Sequence, residues 1–329
     1  MTNADYGQSD QTQQPVTAPG RSGRMSPEKS LDSIFPGKKW VDSVLSALET
    51  KEDMTTAIVH RYLMRAAMAG MIIAVLYVVN YEITGIFSTI KVGETALTGV
   101  GKMIGAFCFG WALVFIYYTR SELLTSNMML VVTGVYFKRT TWARGMKVLT
   151  ICFLGNFVGG VILAILFSGS TLTHGVTGEV MVHSVETKIA YVYTASGLLD
   201  LLVRAILCNF MINLAMLLIY NGLIQETVAK MASMVMAVFI FAFLGFEHSV
   251  ANSVLFAVVG LSEGIDVLGA VANIVVVLIG NFIGGGLMIG LYYAYMEDRD
   301  RGTRRRERAE ARAEARRMRR EGRKPGNTN

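Results

Sequence analysis

The stretch Glu122-Leu123-Leu124-Thr125-Ser126-Asn127 places four polar side chains inside a long apolar block, and Glu247-His248-Ser249-Val250-Ala251-Asn252 does the same 125 positions later. Each stretch is followed, 28 residues after its asparagine, by a glycine-rich run. These runs are Gly155-Asn156-Phe157-Val158-Gly159-Gly160 and Gly280-Asn281-Phe282-Ile283-Gly284-Gly285. Polar interruptions in corresponding places of two apolar halves are typical of transporters and channels built from a duplicated unit, whose broken helices line the substrate path.

The composition is that of a membrane protein, because 52% of the 329 residues are hydrophobic and the mean hydropathy is +0.43. A membrane-spanning helix needs about 20 apolar residues. Six blocks qualify, namely residues 62–87, 96–137, 143–169, 196–222, 226–261 and 269–296. The second and fifth blocks are much longer than one span and contain the two polar interruptions. We therefore predict an all-α membrane protein with six transmembrane helices, of which the second and fifth are each broken into two half-helices.

The predicted breaks are not caused by proline, because all five prolines precede residue 37 or follow residue 324. We expect the Thr, Ser, Asn and Glu side chains of the two stretches to compete for backbone hydrogen bonds. The freed backbone groups must then face protein or a wet cavity rather than lipid. Asn156 and Asn281 are expected to bond a neighbouring helix or a broken backbone.

The two halves are predicted to be inverted relative to each other. Each half has three spans, an odd number, so the second half inserts upside down and the interrupted helices meet near the midplane. The pairs Gly155/Gly159 and Gly280/Gly284 place small residues one helical turn apart, which favours close helix packing.

Both termini are predicted to lie in the cytoplasm, with the protein in the cell membrane (plasma or inner membrane). The loop between the second and third spans carries Lys138, Arg139 and Arg144, and the C-terminal tail is also basic. The opposite loops carry little positive charge, mainly Lys91 and Lys188. Positive charge concentrates in cytoplasmic loops, which gives this orientation.

The segments outside the transmembrane domain (60–296) have distinct compositions. Residues 1–36 are rich in polar residues, Pro and Gly, and are expected to be disordered. Residues 37–59 carry apolar residues at helical spacing, which predicts an amphipathic interfacial helix or, alternatively, a plug over one pore mouth. The basic tail, 297–329, has arginines every four residues from Arg304 to Arg320. It is expected to be a solvated helix or to contact anionic lipid, and not to bind nucleic acid, since no aromatic residue interleaves.

His248 and Thr125 are the candidate site residues. His248 is the only histidine predicted inside a span, and an ionisable group at membrane depth is costly enough to suggest a function. It could donate a proton or pair with an anion; the alternative is a neutral histidine bonded to a helix backbone. Thr125, with Ser126 and Asn127, is expected to open a half-helix whose free amides and positive dipole end suit a small anion, or simply to cap that helix.

No sequence pattern of an enzyme is present. We find no phosphate-binding glycine loop, no metal-ligand cluster and no nucleophile–base pair, so neither a cofactor nor a metal is expected. The three cysteines lack Cys-x-x-Cys spacing and are expected to be free thiols. A neutral-solute channel of the aquaporin type would need two Asn-Pro-Ala loops, which the chain lacks. A membrane anchor that presents the basic tail as a binding module is a further alternative, although it would not need the paired interruptions.

Four motifs in order resemble those of the formate/nitrite transporter family. They are residues 101–109, the run 123–127, the run Leu207-Cys208-Asn209-Phe210-Met211-Ile212, and the run from Gly245 to Asn252. The resemblance covers about residues 60–296. It implies an aquaporin-like protomer, a homopentamer with one pore in each protomer, and passage of small monovalent anions of weak acids such as formate, nitrite, acetate, lactate or hydrosulfide.

The resemblance also implies roles for individual residues. His248 and Thr125 would form the central pore pair, with Asn209 nearby and Glu122, Asn127, Glu247 and Asn252 as structural residues. Leu123, Leu124 and Ile212 would form the cytoplasmic constriction, and Phe109, Leu113 and Phe241 the other one. The family usually has Phe at the position of Leu124. It often has a Lys about sixteen residues before the fourth-span Asn, as part of a positive outer vestibule. This chain has Tyr193 at that position, and Lys188 lies at a different spacing.

Overall fold

The protein is built from α-helices and one short β-hairpin in the computed structural model, which describes residues 37–298. The predictions for residues 1–36 and for the tail beyond residue 298 lie outside the described residues. The elements in chain order are α1 (Lys38–Ala57), α2 (Val59–Thr89), β1 (Lys91–Val92), β2 (Thr95–Ala96), α3 (Thr98–Tyr118), α4 (Leu124–Tyr136), α5 (Trp142–Ser168), α6 (Gly175–Ala190), a 3-10 turn (Tyr191–Tyr193), α7 (Ala195–Tyr220), α8 (Thr227–Phe243), α9 (Ser249–Ser262), α10 (Val267–Asn281), a π-helical segment (Phe282–Leu291) and α11 (Tyr292–Met296).

The predicted class, an all-α membrane protein, is confirmed. Within residues 37–298, five helices are long and apolar enough to cross a membrane: α2, α3, α5, α7 and the continuous run Val267–Met296. Three shorter apolar helices, α4, α8 and α9, have 13, 17 and 14 residues. Each interrupted block forms two helices, as predicted: α3 and α4 in the first half, and α8 and α9 in the second. Helix α3 has 21 residues and is long and apolar enough to cross a membrane by its length and composition.

Both interrupted blocks break where predicted, but by a different local mechanism. The chain enters the left-handed region at Arg120 (φ 54°) and at Gly245 (φ 68°), each the second residue after its helix ends. The Ser121 amide then donates to the Ile116 carbonyl at 3.0 Å, and the Phe246 amide to the Phe241 carbonyl at 2.9 Å. These are Schellman-type terminations, which satisfy the last helical carbonyls through the backbone itself. Side-chain competition is therefore not the main cause of the breaks.

Helices pack closely where glycines were predicted to allow it. A Cβ on Gly159 would collide with the Ala67 carbonyl of α2, and one on Gly284 with the Ile206 carbonyl of α7. The pairs α2–α5 and α7–α10 are thus brought together in equivalent ways in the two halves. This close approach lets the side chains of α5 and α10 reach the breaks.

Two elements were not indicated by the sequence. Helix α6 precedes the second half, and the β1–β2 hairpin joins α2 to α3, with Lys91 opposite Ala96. The predicted amphipathic helix corresponds to α1, whose buried side chains pack on α2, α4, α5 and α7. Helices α1 and α6 each bring one lysine toward a break.

Candidate functional site

Two cavities approach the centre of the helix bundle. The larger, which we call the Lys188 cavity, has a volume of about 380 Å³, and its wall includes Lys102, Phe109, Lys188, Arg204, Phe241 and His248. The smaller, the Lys51 cavity, has a volume of about 180 Å³, and its wall includes Lys51, Arg65, Leu113, Arg120, Leu123 and Ser126. Each cavity therefore combines cationic side chains with an apolar part.

His248 and Thr125 meet between the two breaks. The His248 Nε2 lies 3.1 Å from Thr125 Oγ1, and both residues are buried, His248 with 4% of its surface exposed. The His248 Nδ1 accepts the Ala251 amide at 3.1 Å and so caps α9. Since Nδ1 is the acceptor, the ring proton of the neutral imidazole is on Nε2 and is donated to the Thr125 hydroxyl oxygen.

The central pair is not related by the internal repeat. The offset of 125 that aligns Glu122 with Glu247 aligns His248 with Leu123, and Thr125 with Val250. The duplicated scaffold thus brings the two breaks together, whereas the chemistry at the centre belongs to one residue from each half.

Asn156 and Asn281 hold the two breaks in the same way. Asn156 Oδ1 accepts the Leu124 amide at 3.0 Å, and its Nδ2 donates to the carbonyls of Ala66 at 2.8 Å and Glu122 at 2.7 Å. Asn281 makes the corresponding three bonds, to the Ser249 amide and to the carbonyls of Ala205 and Glu247, at 3.0, 2.8 and 2.9 Å. Backbone groups freed by each break are thereby satisfied inside the protein.

Asn209 and Asn213 together hold the main chain of Thr125. Each Nδ2 donates to the Thr125 carbonyl at 3.1 Å, and Asn213 also donates to Asn209 Oδ1 at 2.7 Å. Asn209 further donates to the Asn281 carbonyl at 2.7 Å, which ties the two breaks to one another. Asn213 was missed by the sequence analysis, although its spacing of four from Asn209 in an apolar helix was a usable signal.

A buried Lys–Glu–Asn cluster lies beside each break. In the second half, Lys188 Nζ lies 2.7 Å from Glu247 Oε2, which also accepts Asn252 Nδ2 at 2.6 Å. In the first half, Lys51 forms the corresponding ion pair with Glu122, which accepts Asn127 Nδ2 at 3.2 Å; Asn127 also donates to the Tyr62 hydroxyl at 3.1 Å. The clusters link α1 and α6 to the breaks.

Both lysines of these clusters are held in the charged form. Burial opposes the charge, but the adjoining carboxylate outweighs it, so the pKa of Lys51 and the pKa of Lys188 lie above the usual value. Lys188 precedes Asn209 by 21 positions rather than 16, yet α6 places it on the cavity wall with Lys102 and Arg204.

The residues of the two predicted constrictions do not line the two cavities in the groups that the resemblance implies. Phe109 and Phe241 meet edge to face, with ring centroids 6.2 Å apart, on the wall of the Lys188 cavity. Leu113 was grouped with them, but it lies one turn further along α3 and lines the Lys51 cavity with Leu123. Leu124 and Ile212 are fully buried.

Comparison with known proteins agrees with this architecture. The formate/nitrite transporter family model matches residues 38–295. The formate channel FocA of Escherichia coli (strain K12) is 28% identical over 260 residues, covering 71% of this chain and 86% of that protein. The nitrite transporter NirC of the same strain is 31% identical over 216 residues, covering 64% and 77%.

Solved structures share the fold. An FNT family ion channel aligns with a TM-score of 0.66 at 24% identity, over 78% of this chain and 98% of that one. A pentameric formate channel with formate bound aligns with a TM-score of 0.56 at 19% identity, over 73% and 97%. With its paired breaks, its glycine-packed helices and a family match that spans most of its length, this chain belongs to the formate/nitrite transporter family.

Proposed function

We propose that this protein is a membrane channel or proton-linked transporter, and not an enzyme, for small monovalent anions of weak acids such as formate or nitrite. The observation that carries the proposal is the 3.1 Å contact between Thr125 and His248, buried between two cavities with cationic walls. The relatives named as a formate channel and a nitrite transporter support this class of substrate.

The apolar parts of the cavities suggest why a proton is involved. A bare anion in a dry slit beside Phe109 and Phe241, or beside Leu113 and Leu123, loses its hydration at a large cost, whereas the neutral acid loses much less. Neutral His248 that gave up its Nε2 proton would become an imidazolate. A donated proton must therefore be matched by protonation at Nδ1, which breaks the Ala251 cap, or must come from water held by the ring.

The assembly and its placement belong to the same proposal. The pentameric formate channel of the same fold supports a homopentamer with one pore in each protomer. Lys138 and Arg139 in the loop between α4 and α5 favour cytoplasmic termini in a cell membrane. The basic tail would then be available to anionic lipid of the inner leaflet.

The proposal is tested by anion uptake into proteoliposomes. We expect the purified protein to take up formate or nitrite, and His248→Asn to weaken that uptake and change its dependence on pH. His60→Asn is the matched control, because His60 is exposed at the start of α2. Uptake that is absent for every small monovalent anion tested, at several pH values, would refute the proposal.

A further inference from the structure

Five aromatic rings form a continuous series along the wall of the Lys188 cavity. The ring centroids of Tyr81 and Tyr77 are 4.9 Å apart, and those of Tyr77 and Phe109 are 5.0 Å apart. Phe109 then contacts Phe241, and Phe241 stacks on His248 at 6.0 Å. Tyr77 is thus the last hydroxyl-bearing ring before the Phe109–Phe241 pair.

A chain of hydroxyl groups ends at Tyr77. The Tyr81 hydroxyl lies 2.7 Å from Ser184 Oγ and donates to the Tyr77 hydroxyl at 3.3 Å. Because Tyr81 has only one proton to donate, Ser184 is the donor in its contact with Tyr81. The Tyr77 oxygen therefore accepts, and within residues 37–298 its own proton has no bonded acceptor. A hydroxyl that accepts one bond is also polarised toward donating another.

We propose that Tyr77 contacts the substrate, donating a hydrogen bond to an oxyanion as the anion passes from the Lys188 cavity to the Phe109–Phe241 pair. This inference rests on the proposed function. An anion that enters the apolar layer sheds water, and a donor at its edge replaces one of the lost hydrogen bonds. Lys188 is a weaker candidate for this contact, because its charge is already paired with Glu247.

The same argument names the class of anion that Tyr77 favours. Carboxylates and nitrite present oxygen atoms that accept strong hydrogen bonds, whereas the larger sulfur atom of hydrosulfide is a weaker acceptor than oxygen. Tyr77 should therefore assist oxyanions and give little help to hydrosulfide.

The other half of the molecule has no hydroxyl-bearing residue at the position that corresponds to Tyr77. The main-chain carbonyl of Arg65 accepts a hydrogen bond from the Glu122 amide, and the carbonyl of Arg204 accepts the equivalent bond from the Glu247 amide. Arg65 and Arg204 are therefore equivalent, so a residue of α2 corresponds to the residue of α7 that lies 139 positions later. With that offset Tyr81 corresponds to Tyr220, and Tyr77 to Met216; both counterparts line the Lys51 cavity. The Tyr77 hydroxyl is thus replaced by a thioether at the equivalent position, and the hydroxyl groups of the Lys51 cavity come from other residues, such as Tyr117 and Tyr220.

Flux of formate, nitrite and hydrosulfide through Tyr77→Phe tests the inference. We expect formate and nitrite flux to fall about tenfold, as a hydrogen bond to a charged group is lost. Hydrosulfide flux should fall less than about twofold, since sulfur accepts weakly. Tyr77→Met, which copies Met216, should shift the anion ratios in the same direction. Tyr81→Phe should reduce oxyanion flux by a smaller factor, because it only removes the polarising donor.

The control is Tyr118→Phe, which removes a hydroxyl from a half-exposed ring outside the cavity and should leave every ratio unchanged. Wild-type formate flux through Tyr77→Phe would overturn the inference and leave the proposed function intact. An equal loss for all three anions would also overturn it, because that pattern belongs to a residue that only supports packing.

Discussion

Replacing Asn281 with leucine, which keeps the number and branching of the side-chain heavy atoms but removes every hydrogen-bonding group, should loosen the second break. Asn281 is fully buried, and its carboxamide satisfies three main-chain groups: the Ser249 amide and the carbonyls of Ala205 and Glu247. A buried backbone group left without a partner costs about 1–3 kcal/mol. Ala205 lies inside α7, where its carbonyl also accepts a helical amide, so the low end of that range is taken twice. The expected loss in the free energy of unfolding is about 2 kcal/mol. Ser249 directly follows His248, so the Thr125–His248 contact should be lost as well.

The assay combines thermal unfolding of the purified protein in detergent with formate flux in proteoliposomes. Asn281→Leu should melt at a lower temperature and lose most of its flux. Asn156→Leu should behave alike, because Asn156 makes the corresponding three bonds to the first break. The matched control is Asn221→Leu, whose carboxamide makes one exposed bond, to the Leu223 amide. If Asn281→Leu had the same melting temperature as Asn221→Leu and carried formate like the wild type, the Asn281 carboxamide would not hold the break.

Two further predictions concern the polar groups around the centre. Lys188→Met leaves the Glu247 carboxylate buried without its cationic partner, so thermal unfolding should show a loss of about 3–5 kcal/mol in stability. Adding Glu247→Gln to that variant should recover part of the loss. If the losses of the two single variants simply added, the two residues would not be a coupled pair. Asn213→Leu removes one of the two side-chain hydrogen bonds to the Thr125 carbonyl, which should lower the stability by about 1 kcal/mol and formate flux about fivefold. Unchanged flux would show that Asn209 alone holds that carbonyl.

The membrane-embedded helices and their interruptions were predictable because their signals are local in the chain. Hydropathy over some 20 residues locates a span, and the prediction matched α2, α5 and α7 within three residues at each end. The polar residues of each break stand out for the same reason. The cause of the breaks was not predicted, because a left-handed residue such as Arg120 carries no clear sequence signal.

The arrangement of the site depends on contacts between distant parts of the chain. Lys51 meets Glu122, and Lys188 meets Glu247, across 71 and 59 positions, because α1 and α6 pack beside the breaks. Leu113 and Phe109 share a helix, yet they line different cavities, since one helical turn moves a side chain along the axis. The hydroxyl series through Tyr81 and Ser184 likewise joins α2 to α6.

By itself, the amino-acid sequence determined the apolar segments and the polar residues that interrupt them, because each is a property of neighbouring residues. It also determined the duplication, because the same pattern recurs 125 positions later. Only the tertiary structure decided which polar groups meet. Hydrogen bonds and ion pairs act over about 3 Å, so their partners are selected by helix packing and register rather than by spacing along the chain.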